Sequence, residues 1–409
     1  MMDSRSPWWR LLLSPGGWLA LGMIVRLVHV LSLGNEYFFG DTAEYEQVAL
    51  RILHGQGLGE SSPRAPLYPL LMALSFWLGG EQNFIVMRWF QLVLAFVQMR
   101  LVVRLANRIG GLAASAFAAP LIALTPTVVF SAGLLYPTLL YSTLLFSVTL
   151  LAWEIADRPT TGRGVALGVL LVLAWLTDMV VLAPALAIGT WLLAQARRQP
   201  GPLWRALAVT LVTGLAIVVP YAMRLRAQGG DRVFMGKAQA VLYFARTDTL
   251  ISRPRWIRTP PGEPFTSLSA TAFVARETRL FRARPGAYVH DYVMEFLHFF
   301  QPLPDRVTSK NRYNRPWVLW VGAAWFLLLL PTTILGLLRA RAPRSGRLLL
   351  AAVVITTAAF YACFFTQTRY RIPVEPQMVV LAALALATAF PRLGRVWADP
   401  SAAETDPHR

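Results

Sequence analysis

The sequence predicts an all-α polytopic membrane protein, with about ten transmembrane helices and further juxtamembrane helices on its outer face. Three observations predict it. Of the 409 residues, 56% are hydrophobic and only 15% are charged, against about 25% charged in soluble domains. Apolar runs of about 20 residues, the length a helix needs to cross a bilayer, recur along the chain. Arginine clusters fall in the connections between these runs, the pattern of membrane topology. The apolar content also excludes disorder. Cys363 is the sole cysteine, which removes any intrachain disulfide and any zinc site needing two or four thiolates. Net charge is +18. Because the basic residues sit between membrane runs, no nucleic-acid partner is expected.

The first span covers 16–33. Arg5 and Arg10 precede it as in a signal peptide, but no small-residue cleavage site follows, so it reads as a retained helix. Further spans fall at 84–103, 112–131, 137–155, 164–177, 179–196, 203–222, 316–338, 348–366 and 374–391. Ala65 to Gly80 is apolar but short, with two prolines at its start. Charge parity decides its state. If it does not cross, Arg5/Arg10, Arg100/Arg104/Arg108, Arg158/Arg163, Arg197/Arg198/Arg205, Arg339/Arg341/Arg344/Arg347 and Arg392/Arg395 all share one side, the cytoplasm. It is therefore a re-entrant or interfacial helix, and both termini are cytoplasmic. The protein is expected in the cytoplasmic (inner) membrane with its site facing outside.

These bounds divide the chain into four parts. Residues 1–222 form an N-terminal transmembrane module with a first outer loop, 34–83, where a catalytic site is expected on the residues taken up below. Residues 223–315 form a large outer-face segment, and 316–398 hold the C-terminal transmembrane helices. The tail, 399–409, reads as disordered. The later half of the outer segment reads as two amphipathic helices, the second opened by Pro285.

Chemistry concentrates in the outer connections. In NEYFFGDTAEYEQVALRILHGQG, Asp41 precedes a helix expected from Thr42, with Glu44 and Tyr45 in its first turn. An N-cap with first-turn acids accounts for this pattern; so does a carboxylate held outside the bilayer as a general base. Arg64, between two prolines in SSPRAPLYP, suits either snorkelling to lipid phosphate or clamping a substrate phosphate. Arg369 and Arg371 flank Tyr370 in TQTRYRIPVEP and break the positive-inside pattern. Interfacial anchoring explains that, as does binding an anionic lipid head. Arg26 lies in mid-span, where an ionisable residue is paired, functional or snorkelling. Asp178 reads as a helix cap at an outer turn, and Tyr136 as either a belt residue or part of a site. The histidines show no metal-binding spacing.

GDTAEYEQVALRILHGQG, RAPLYPLLMAL, the Arg run after the second span and TRYRIPVEP together resemble the GT-C superfamily of integral membrane glycosyltransferases. The branch in view contains protein O-mannosyltransferases, the lipid A aminoarabinose transferase and rhizobial lipopolysaccharide sugar transferases. The likeness is fullest over about the first 160 residues. It implies sugar transfer from a polyprenyl-phosphate donor to a glycan, lipid or protein acceptor on the outer face, with inversion. It implies Asp41 as the catalytic carboxylate with Glu44 in support. Tyr45, Arg64, Arg369, Tyr370 and Arg371 would bind substrate, the arginines facing the lipid phosphate. Many relatives carry a second acid before the fourth span, where this chain reads SAGLLYPTLL. A single committed carboxylate argues weakly against a divalent metal, which takes several oxygen ligands, and no cofactor is predicted. The competing readings are a transporter or flippase of lipid-linked substrate, though paired broken helices and inverted repeats are not evident, and a non-catalytic envelope scaffold.

Overall fold

A computed structural model describes residues 14–37, 40–58, 65–198, 201–227, 239, 241–243, 245–247, 255–259, 264–266, 268–303 and 316–391. Arg64, the arginines at 5, 10, 392 and 395, and the tail at 399–409 lie outside the described residues.

In chain order the helices are α1 (Pro15–Ser32), α2 (Gly40–Leu53), α3 (Leu67–Gly79), α4 (Phe84–Leu124), α5 (Pro126–Gly133), α6 (Thr138–Asp157), α7 (Thr161–Trp175), α8 (Leu182–Ala196) and α9 (Pro202–Ala227). Then come α10 (Ala270–Ala283), α11 (Pro285–Phe299), α12 (Pro316–Arg339), α13 (Arg344–Ala362) and α14 (Glu375–Ala389). Two 3₁₀ segments, Met179–Val181 and Thr368–Val374, lead into α8 and α14. No strand occurs among the described residues.

Among the described residues eight elements are long and apolar enough to cross a membrane, where about ten were expected. Two local features account for the difference. The 41-residue α4 is one element only in name, because Gly111 (φ 73°, ψ −171°) breaks it. That left-handed φ suits glycine, which lacks the Cβ that would clash. The halves on either side of it correspond to two of the expected runs. Helix α7 has 15 residues, about 22 Å at 1.5 Å per residue, short of a hydrocarbon core of about 30 Å. The disputed segment is α3, 13 residues long, which at about 20 Å is too short to cross.

Helix α14 is the axis of the bundle, buried against α4 and α12. Gly336 of α12 lies directly on the Leu381 carbonyl, so no side chain fits there. Helix α9 meets the body mainly through α7. A Cβ at Gly164 or Gly168 would lie 2.6 Å from the Ala206 or 2.7 Å from the Thr210 carbonyl oxygen. Small residues let backbones approach this closely inside a membrane.

Arg26 is buried and paired within the bundle. Its guanidinium donates to the carbonyls of Gly22 (3.0 Å), Ala123 (2.8 Å) and Ile122 (3.0 Å). The Ile122 carbonyl would normally accept from residue 126, but Pro126 has no N–H. Arg26 therefore supplies the hydrogen bond that the chain cannot make for itself at the end of α4.

Candidate active site

The site forms where α2, the Leu134–Pro137 connection and the 3₁₀ segment Thr368–Val374 meet. Helix α2 begins at Gly40, so Asp41 sits inside its first turn and not at the cap position expected from sequence. The buried stripe of α2 is Thr42, Tyr45, Glu46, Val48 and Ala49. Thr42 donates to the Leu135 carbonyl at 3.1 Å, pinning the helix start to the connection before α6.

Around Asp41 three distant segments converge. The Tyr136 hydroxyl donates to its Oδ2 at 3.4 Å, and Arg369 Nη2 lies 3.5 Å from the same oxygen. Both contacts are long, so neither holds the carboxylate tightly. The Arg369 guanidinium lies 5.4 Å from the Tyr136 ring centre and 5.5 Å from that of Tyr370, within cation–π range of both. Tyr370 stacks on Tyr361 at 4.4 Å, and Tyr136 takes the edge of Tyr45 at 5.5 Å. Arg369 Nε is buried with no hydrogen-bond partner among the described residues. Asp178 caps the 3₁₀ turn at Met179–Val181, accepting from Val180 N–H at 3.1 Å, as expected. It lies within electrostatic reach of Tyr141 and Tyr361, at the same end of the bundle.

The other sequence-predicted residues take different places. Tyr45 is buried between Tyr68 and Tyr136 and backs the site wall. Glu44 lies on the exposed flank of α2. Arg371 is buried and turned into the protein. It donates to Glu375 at 2.8 Å and to the Gln301 carbonyl at 2.7 Å, with its guanidinium 3.3 Å from the centre of the Phe326 ring. A buried ion pair of this kind holds the 3₁₀ segment to α14, so its charge is already committed.

Three supporting residues escaped the sequence reading. Glu295 of α11 accepts from Thr366 N–H at 2.6 Å and pairs with Arg255 at 2.9 Å, tying down the loop that leads to Arg369. Asp291, one turn earlier, accepts from the backbone N–H groups of Trp256 and Ile257. Arg88 donates to the carbonyls of Gly34 and Glu36, just before Asp41, and of Gly133, just before Tyr136, tying the two connections together. Acids at 291 and 295, spaced i, i+4 on one helix face, were the available signal. No group of three or more His, Cys, Asp or Glu side chains gathers among the described residues. Asp41 is the carboxylate in the cluster described above.

This architecture is the fold of the two solved structures described next, in keeping with the resemblance seen in the sequence, and eight of its described elements are long and apolar enough to cross a membrane. Among solved structures it is similar to ArnT from Cupriavidus metallidurans bound to undecaprenyl phosphate. The TM-score is 0.59 at 18% identity, over 93% of this chain and 62% of that one. It is also similar to the oligosaccharyltransferase AglB from Archaeoglobus fulgidus, solved with an inhibitory peptide and a dolichol-phosphate. There the TM-score is 0.58 at 13% identity, over 98% of this chain and 52% of that one. The chain thus spans between about half and two thirds of the length of these structures. No protein-family model and no curated protein sequence matches it.

Proposed function

We propose that the protein transfers a sugar from a polyprenyl-phosphate donor to an acceptor on the outer face of the cytoplasmic membrane. The observation that carries this reading is the meeting of Asp41, Arg369, Tyr136 and Tyr370 at one end of the bundle. Asp41 and Arg369 are 328 positions apart in sequence. A carboxylate and a guanidinium gathered in one cluster supply the two groups a glycosyl transfer needs, a base for the acceptor and a cation for the leaving phosphate. The acceptor hydroxyl gives its proton to Asp41, and its oxygen attacks the anomeric carbon. The bond from that carbon to the phosphate oxygen breaks on the opposite face, with inversion, and the electron pair leaves with the phosphate. Arg369, held between two tyrosine rings, stabilises that departing charge. The two solved relatives with lipid phosphates bound support a polyprenyl-phosphate donor. The abundance of Arg at the opposite bundle end, including Arg104, Arg158 and Arg163, supports placing that end in the cytoplasm.

The test supplies purified protein with a polyprenyl-phosphate sugar and follows release of polyprenyl phosphate. Asp41→Asn keeps the side-chain shape and removes the base. It is expected to lower turnover by roughly 10²–10⁴-fold, the usual share of a positioned base, while Glu44→Gln has a smaller effect. Near-wild-type turnover in Asp41→Asn would sink the mechanism. If Glu44→Gln is the inactive variant, the base lies one helical turn on.

A further inference from the structure

The outer-face segment holds a cavity away from the described site. It encloses about 190 Å³ between the helical residues at 239, 241–243 and 245–247, the strip 255–259, Pro264 to Thr266 and α10. That is below the roughly 300–1,000 Å³ that houses drug-sized ligands, so it fits a single ring.

The lining combines two chemistries. Arg246, Arg258 and Arg276 contribute three guanidinium groups. Tyr243 and Phe265, edge to face at 5.4 Å, contribute aromatic surface. Among the described residues, Glu277 pairs with both Arg246 (2.7 Å) and Arg276 (3.2 Å). One positive charge is thereby offset, and the described lining stays cationic. The Arg246 side chain is only 6% exposed, yet its Nε has no hydrogen-bond partner among the described residues. A buried donor left in that state favours an acceptor placed beside it. Arg258 uses its Nε on the Arg255 carbonyl at 3.1 Å, leaving its terminal nitrogens for another partner. Gln239 bonds both the N–H and the carbonyl of Leu268, at 2.8 and 2.7 Å, so the wall is preorganised.

We propose that this cavity binds an anionic sugar unit, a single ring carrying a carboxylate or phosphate. The guanidinium groups take the anion, in the geometry Arg favours. The aromatic rings take the apolar face of the sugar. On the transfer reading given above, that unit belongs to the acceptor, because the donor phosphate is assigned to Arg369.

Equilibrium binding to the full-length protein in detergent tests this, using glucuronate, glucose 6-phosphate, glucose and inorganic phosphate as probes. Both anionic sugars are expected to bind, with glucose and phosphate each weaker by about tenfold or more, the worth of one charge-assisted contact. Arg258→Gln, at an exposed position, should weaken both anionic sugars by a similar factor without lowering Tm. Phe265→Leu should weaken the sugars and leave phosphate unchanged. Asp41→Asn should bind all four probes as wild type does, which separates failure of this cavity from failure of the catalytic reading. Absence of binding by either sugar overturns the proposal, as does glucose binding as well as glucuronate. Phosphate competing as well as glucose 6-phosphate reduces the cavity to a bare anion site and also overturns it.

Discussion

Replacing Arg369 with Met removes the guanidinium while keeping an unbranched apolar stem of similar length. The structural cost is small. The contact to Asp41 is 3.5 Å long and both side chains are partly exposed, at 22% and 34%. Exposed pairs of this kind contribute about 0.2–1 kcal/mol, and partial loss of the ring contacts to Tyr136 and Tyr370 adds a similar amount. The functional cost is larger if the guanidinium holds a phosphate, since hydrogen bonds to charged groups contribute about 1.5–3 kcal/mol. At about 1.4 kcal/mol per decade, the apparent donor constant rises roughly tenfold to a hundredfold. Arg369→Lys retains the charge but loses the planar fork and the ring stacking, so it falls between wild type and Met. The assay is transfer rate against donor concentration, with acceptor saturating and Tm measured alongside. Arg371→Met is the contrast: it breaks the buried pair with Glu375, where losing one partner costs about 3–5 kcal/mol. It should therefore lower Tm far more than it changes the donor constant of whatever folds. An unchanged donor constant in Arg369→Met, with a raised one in folded Arg371→Met, would refute the assignment.

Arg26→Met leaves the Ile122 and Ala123 carbonyls without their guanidinium. With polar contacts in membranes averaging about 0.6 kcal/mol and reaching about 1.7, three lost bonds should lower stability by about 2–5 kcal/mol, read by unfolding in detergent. Gly168→Leu drives a side chain into the Thr210 carbonyl and should separate α9 from α7, read as accelerated exchange or labelling at cysteines placed on their seam. The cluster around Glu277 gives a pH dependence. Burial disfavours the Glu277 carboxylate, but hydrogen bonds from Arg246 and Tyr288 outweigh it and hold its pKa below the ordinary value. Its contribution is therefore present above the unfolded Glu value of about 4.3 and lost as pH falls through the lower folded value. Tyr288 is pushed up to about 12 by burial and by its bond to Glu277, so stability also declines as pH rises from the unfolded tyrosine value of about 10. The Tm difference between wild type and Glu277→Gln should be largest near neutrality and shrink in acid; a difference that does not narrow as pH falls below about 4.3 contradicts the assignment.

The membrane helices were legible because a bilayer imposes length and hydropathy directly. Charge parity also kept α3 out of the count of spans, consistent with its 13 residues. The count itself was less secure, since a break at one glycine and a 15-residue helix blur what a span is. Asp41 and Arg369 stood out because each is an ionisable group in a connection between apolar runs. Their contact did not, because nothing local in either segment names the other. Arg371 shows the reverse case. Its charge suggested the same role as Arg369, but Glu375 stands four positions on, the spacing of a helical ion pair. Tyr136 was ambiguous between membrane belt and site wall, and only packing against Arg369 and Asp41 distinguishes the two.

The seam between α7 and α9 has a consequence for how this protein can vary. Helix α9 turns Leu211, Val212, Leu215, Ile217 and Val219 outward, where they are widely exposed. Lipid asks of those positions only that they be apolar, so many sequences serve equally. The constraint at the seam falls on the other helix, because α9 carbonyl oxygens lie where any residue larger than glycine at 164 or 168 of α7 would have to go. Sequence change in this part of the protein is thus channelled onto the lipid-facing positions of α9. Those positions are free to track membrane composition, while the two glycines of α7 are held still.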